Sequence, residues 1–121
     1  MNTIFLIVLA ILILAFLFLR NVNNRNLPSI SHDELEQFQQ QHPQLQFLDV
    51  RTPNEAASGR MSNAKLINFM APDFSKKIAA LPKDKTYVVY CRSGRRSAGA
   101  VAKMLQQGFT EVYNLRGGYQ S

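Results

Sequence analysis

A lone cysteine, two histidines and no tryptophan set the first limits on this chain of 121 residues. With only Cys91, an intrachain disulfide and a cysteine-rich zinc site are excluded, and no resolving thiol accompanies it. His32 and His42 lack ligand-like spacing and are expected to be solvent-exposed residues of a helix and a turn, so no metal site is expected. Acidic residues are scarce, 8 against 14 lysines and arginines, for a formal net charge of +6. That excess does not form a basic helix face with interleaved aromatics. Arg92, Arg95 and Arg96 cluster in one loop, Arg20 and Arg25 flank an apolar run, and Lys76, Lys77, Lys83 and Lys85 read as solvated surface, which argues against a nucleic-acid partner.

What the chain does have is an unbroken apolar run from Ile4 to Leu19. As a helix it spans about 24 Å, close to a hydrocarbon core of about 30 Å, and residues 3–20 are expected to form one transmembrane helix. No basic residue precedes the run and no A-x-A pattern closes it, so an uncleaved anchor fits better than a secretory signal. Arg20 and Arg25 follow the run, so the expected location is the inner (plasma) membrane, single-pass, with the domain facing the cytoplasm. Residues 21–27, rich in asparagine, read as a linker. Residues 28–121 form one small domain of modest core.

Within that domain, Ser31-His-Asp-Glu34 is a capping box for a helix to about Gln41, and Thr52-Pro53-Asn54-Glu55 starts a second, short one. Strands are predicted at Gln46–Val50, Lys65–Phe69, Thr86–Tyr90 and Glu111–Leu115, with a helix over Pro72–Leu81. The Thr86 strand delivers Cys91 into the loop Cys91-Arg-Ser-Gly-Arg-Arg96. Ser97 is the expected N-cap of a helix whose Ala98, Val101, Ala102 and Leu105 form one buried stripe, ended by Gly108. Such an order implies an α/β fold with a mostly parallel sheet, whose ligands bind beyond the carboxyl ends of the strands. A helix N-terminus and three arginines lower a thiol pKa, so Cys91 is expected to be largely thiolate at neutral pH.

The segment Cys91-Arg-Ser-Gly-Arg-Arg-Ser97 resembles the active-site loop, C-R-x-G-x-R-S/T, of the rhodanese (thiosulfate sulfurtransferase) superfamily. Asp49-Val-Arg-Thr-Pro-Asn-Glu55 with Gly59 resembles that family's D-V-R-x-x-x-E-[FY]-x-x-G segment, and Gly108-Phe109 with Gly117-Gly118 its closing G-[FY]-x-x-V-x-x-L-x-G-G. The resemblance covers about Ser29 to the end. It implies a three-layer fold, a central parallel sheet of about five strands with helices on both faces, preceded here by the transmembrane helix. It implies Cys91 as the catalytic residue, Arg92, Ser93, Gly94, Arg95, Arg96 and Ser97 as substrate-binding, and Asp49, Arg51 and Glu55 as supporting. Arg60-Met61 and Asn63-Ala64 depart from the family's His-Ile and Gly-Ala, Arg95 stands where a neutral residue is common, and the G-G-x-x-x-W ending is absent, so the domain is expected to end short of the family pattern.

The implied chemistry is transfer of a sulfane sulfur from a small anionic donor such as thiosulfate to a thiol or cyanide acceptor, or to a partner protein, through a Cys91 persulfide, with no cofactor. The alternatives are a membrane-tethered module that carries sulfur or senses redox state, and a cysteine-dependent phosphatase or arsenate reductase. The latter enzymes need an arginine six positions after the cysteine, where this chain has Ser97. Two roles stay open for Arg96, neutralising the donor or tying the loop to Asp49 or Glu55. Glu55 with Thr52 serves either the site or only its own helix cap.

Overall fold

The computed structural model describes residues 2–25 and 27–120, leaving Asn26 of the expected linker and Ser121 of the expected domain outside the described residues. Helix α1 runs Thr3–Arg25, longer than the expected span. Asparagine costs little in a helix already nucleated by the apolar run, so Asn21 to Arg25 extend it instead of forming an irregular tether. Its apolar side chains from Ile4 to Leu19 are exposed, as in Leu14 and Phe18, and Thr3–Arg20 is long and apolar enough to cross a membrane.

Beyond α1 the order is β1 (Ser29–Ile30), α2 (His32–Gln41), β2 (Gln46–Asp49), α3 (Pro53–Ala57), β3 (Lys65–Leu66), α4 (Phe74–Ala79), β4 (Thr86–Tyr90), α5 (Arg95–Gln106) and β5 (Glu111–Leu115). The strands form one sheet in the order β1-β5-β4-β2-β3, every pairing parallel. The middle strand is β4, and side chains alternate across it. Tyr87 and Val89 enter a core with Phe74 and Ile78 of α4 and Val101 and Met104 of α5. Val88 and Tyr90 enter a second core with Ile30, Leu35 of α2, Phe47 and Leu115. Each such side chain contributes about 1.5–3 kcal/mol by leaving water. The result is three layers, helix, sheet and helix.

Both predicted capping boxes form, Ser31 with Glu34 and Thr52 with Glu55. Three elements are shorter than predicted, β2 only by Val50. α4 begins only at Phe74, after a turn in which the Phe74 N–H bonds the Ala71 carbonyl, and it closes before Leu81, whose successor Pro82 disfavours the helical conformation. β3 stops at Leu66, although Ile67 and Phe69 still bond the carbonyls of Asp49 and Val50. His32 and His42 are half-buried rather than solvent-exposed. His32 Nε2 lies 2.7 Å from the Gly118 carbonyl, and the His42 ring stacks on Phe38 at 4.2 Å.

Candidate active site

The period of two along β4 carries one residue past its end, so Cys91 falls in phase with Tyr87 and Val89 on the α5 side of the sheet. There its Sγ meets the first turn of α5. Gly94 N–H donates to Sγ at 3.1 Å and Ser97 N–H at 3.4 Å, with the Ser97 hydroxyl also at 3.4 Å. Helix start and sulfur thus satisfy each other, since the N–H groups of a first turn lack partners within the helix. This displaces the expected Ser97 cap. The N-cap is Gly94, in the left-handed region at φ 98°, and Ser97 is buried inside the helix with its oxygen turned to Cys91 and Asn114.

Cys91 is fully buried. Burial pushes its thiol up, but the donors from Ser97, side chain and backbone, and from the backbone of Ser93 and Gly94 outweigh it, and its pKa falls below that of an ordinary cysteine. The expected lowering therefore comes from aligned N–H and O–H groups, with Arg92 and Arg95 exposed to solvent. Glu55 above all, with Cys91 adding to it, favours the ionised form of Arg96.

Arg96 forks onto Glu55, Nη1 to Oε1 at 2.8 Å and Nη2 to Oε2 at 2.9 Å. The same carboxylate accepts from Thr52 N–H at 3.2 Å, so its cap role and its role at the loop coexist. Arg96 beside it, helped by Thr52, lowers the Glu55 pKa to about 2. The other carboxylate considered for Arg96, Asp49, belongs to Arg51: both are buried, and Arg51 Nη2 lies 2.6 Å from Asp49 Oδ2. Arg51 continues to the Gly59 carbonyl at 2.7 Å, while Tyr90 Oη donates to Asp49 at 3.1 Å and accepts from Met61 N–H at 3.0 Å. Burial, with Asp49 adding to it, pushes the Tyr90 hydroxyl up to about 12. This network fixes the Gly59–Met61 stretch, where the sequence departs from the family pattern.

The residues brought together are thus Cys91 with Gly94 and Ser97, Arg96 with Glu55, and Asp49 with Arg51. Ser93 and Arg95 have exposed side chains, and Arg92 joins Arg51, Glu55, Ser58 and Tyr119 around a cleft of about 350 Å³. Sequence reasoning missed three contributors. Tyr119 stacks on Arg51 at 4.4 Å and its N–H donates to the Cys91 carbonyl at 2.7 Å. That approach requires Gly118, at φ 72°, where a Cβ would collide with the Arg92 carbonyl. Tyr90 is the second. Asn114 is the third: its Oδ1 lies 2.6 Å from Ser97 Oγ and its Nδ2 donates to the Gly94 carbonyl at 3.2 Å. A polar residue between Val112 and Leu115 in an otherwise inward-facing strand was the available signal. Among the described residues, no group of three or more His, Cys, Asp or Glu side chains could hold a metal ion.

A cysteine cradled at a strand end by the following helix can be compared with proteins already known. A sulfurtransferase of Allochromatium vinosum is 44% identical over 73 residues, 60% of this chain and 65% of that protein. Thiosulfate sulfurtransferase GlpE of Stutzerimonas stutzeri is 40% identical over 75 residues, 61% of this chain and 66% of that one. The matches therefore span just under two thirds of these relatives. The crystal structure of a rhodanese-like domain protein from Staphylococcus aureus superimposes with a TM-score of 0.64 at 33% identity, over 75% of this chain and 86% of that one. Residues 31–121, which hold β2 to β5, the thiol and both arginine–carboxylate pairs, match the Rhodanese-like domain, and the chain belongs to that family.

Proposed function

We propose that this chain is a rhodanese-type sulfurtransferase. Thiolate Cys91 attacks the outer sulfur of a small anionic donor such as thiosulfate. The donor's S–S bond breaks, sulfite leaves with the electron pair, and a Cys91 persulfide remains. An acceptor thiol, on a small molecule or a partner protein, or cyanide, then takes the outer sulfur and returns Cys91 to its thiolate. The observation that carries this reading is the sulfur's position at 3.1 Å from Gly94 N–H and 3.4 Å from Ser97 N–H, donors that stabilise an anion without metal or cofactor. The names of the two relatives support the same reaction class.

Mass spectrometry of the full chain in detergent after thiosulfate treatment tests it. One added sulfur atom is expected on Cys91, removed by cyanide and absent in Cys91→Ser; an unmodified wild-type chain would refute the reaction. A phosphatase reading would instead require release of phosphate from an aryl phosphate.

The apolar run Ile4–Leu19, followed by Arg20 and Arg25, supports an inner-membrane anchor with the domain in the cytoplasm. A reporter fused after Ser121 should work only if it is active in the cytoplasm, and activity of a periplasm-dependent reporter would reverse the orientation.

A further inference from the structure

The Ser97 hydroxyl has one proton and two acceptors, Asn114 Oδ1 at 2.6 Å and Cys91 Sγ at 3.4 Å. Asn114 cannot turn its amide to relieve the competition. Its other end faces the Gly94 carbonyl at 3.2 Å, which only an N–H can satisfy, so Oδ1 must face Ser97 and can only accept. All three side chains are buried, Cys91 and Ser97 fully and Asn114 at 8% exposure, so no bulk water supplies a substitute donor.

We propose that Asn114 is a positioning residue acting on Cys91 through Ser97, drawing the Ser97 proton away from sulfur when sulfur is neutral and releasing it when sulfur carries charge. This rests on the sulfur-transfer reading, in which Sγ alternates between those states. As the thiolate it draws the hydroxyl. As the inner sulfur of a persulfide it is a neutral divalent atom, the hydroxyl returns to Asn114, and the outer sulfur carries the charge. When the acceptor attacks that outer sulfur, the S–S bond breaks and its electron pair returns to Sγ. The hydroxyl can then swing back to stabilise the departing thiolate. Reactants and products balance without an added oxidant or reductant.

The charged and titratable groups facing this corner come from several elements. Arg96 of α5 is paired with Glu55 of α3, Arg51 with Asp49 at the end of β2, Tyr90 bonds Asp49, Tyr119 stacks on Arg51, and His32 of α2 bonds the Gly118 carbonyl. These contacts run to one another and to backbone groups. Glu55 at about 2 and Tyr90 at about 12 lie far from the range of a thiol titration. His32→Gln serves as the control for the histidine.

The test is the pH midpoint of iodoacetamide alkylation of Cys91 in the full chain. Removing the competitor in Asn114→Leu should lower the midpoint by about half to one pH unit, the size of one net hydrogen bond. Ser97→Ala should raise it, and adding Asn114→Leu to Ser97→Ala should move it no further. A raised or unchanged midpoint in Asn114→Leu, or the same shift with and without Ser97, overturns the proposal, because a mere tether of the loop to β5 predicts one or the other. Should Asn114→Leu not fold, the wild-type chain answers instead. The Asn114 side-chain amide resonance is expected to titrate with the Cys91 midpoint in wild type and to stay flat in Ser97→Ala; no titration in wild type overturns it. These readouts need no sulfur donor, so they separate from a failure to form persulfide.

Discussion

Two pairs of arginines divide the site. Arg51 and Arg96 are drawn into the protein and forked onto carboxylates, whereas Arg92 and Arg95 stand in solvent. A guanidinium held at 2.6 Å by a buried carboxylate, as Arg51 is, presents little net charge to a ligand, and we propose that the first pair holds the frame of the site while the second supplies its field. Position along the motif does not decide which is which; burial and the nearest carboxylate do.

The division breaks most severely at the buried pair. Arg51→Ala leaves the Asp49 carboxyl at 0% exposure without its counter-ion, held only by Tyr90 Oη and the backbone N–H of residue 51, and should cost about 3–5 kcal/mol in denaturant unfolding. Replacing both, as Asp49→Leu with Arg51→Met, should recover part of that loss. A loss below about 1 kcal/mol in the single variant would place Arg51 with the field-supplying pair.

Arg96 comes next. Its pair with Glu55 is about a quarter exposed, so Arg96→Ala should cost about 1–2 kcal/mol together with a large fall in kcat, and Arg96→Lys, which cannot fork, should resemble it. The Glu55 pKa is depressed in the folded state to about 2, so the pair's stabilisation is complete above its ordinary value and disappears as pH falls from about 4.5 toward 2. In Arg96→Ala that acid limb should flatten. An unchanged melting temperature with a large kinetic defect would move Arg96 to the donor-binding side.

The smallest structural effect belongs to Arg92→Ala and Arg95→Ala, expected within about 0.5 kcal/mol of wild type in stability. Their signature is kinetic: kcat/KM for thiosulfate should fall about tenfold in the double variant, and the difference should shrink with added salt. Equal kinetics at low salt would leave the donor without the field assigned to these two residues.

Much of this architecture could be read along the chain, because it is set by neighbours. The alternation in Thr86–Tyr90, the capping boxes at Ser31 and Thr52 and the loop around Gly94 are local patterns with local causes. The partners chosen across the fold were not legible. Whether Arg96 meets Asp49 or Glu55 depends on where α3 places Glu55 against α5, and the Asn114 that accepts from Ser97 arrives from β5. Both contacts join residues distant in sequence, 41 positions apart for Arg96 and Glu55 and 17 for Ser97 and Asn114.

The parallel sheet also bears on how the site comes to exist during folding. No two neighbouring strands are joined by a hairpin, so each pairing must close a long loop, and the pairing of Ser29 with Asn114 spans most of the domain. Among the described residues, the hydrogen bonds to Cys91 Sγ and the Asn114 side-chain bonds behind it are nevertheless completed within residues 86–115, a single strand–helix–strand unit. The shell that carries Arg51 and Glu55 is assembled only when β2 pairs with β4 across the longer separation from Gln46 to Tyr87. Pulsed hydrogen exchange during refolding should therefore find the amides of Gly94 and Ser97 protected no later than those of Arg51 and Thr52, the thiol cradle forming as a local event and its arginine rim as a long-range one.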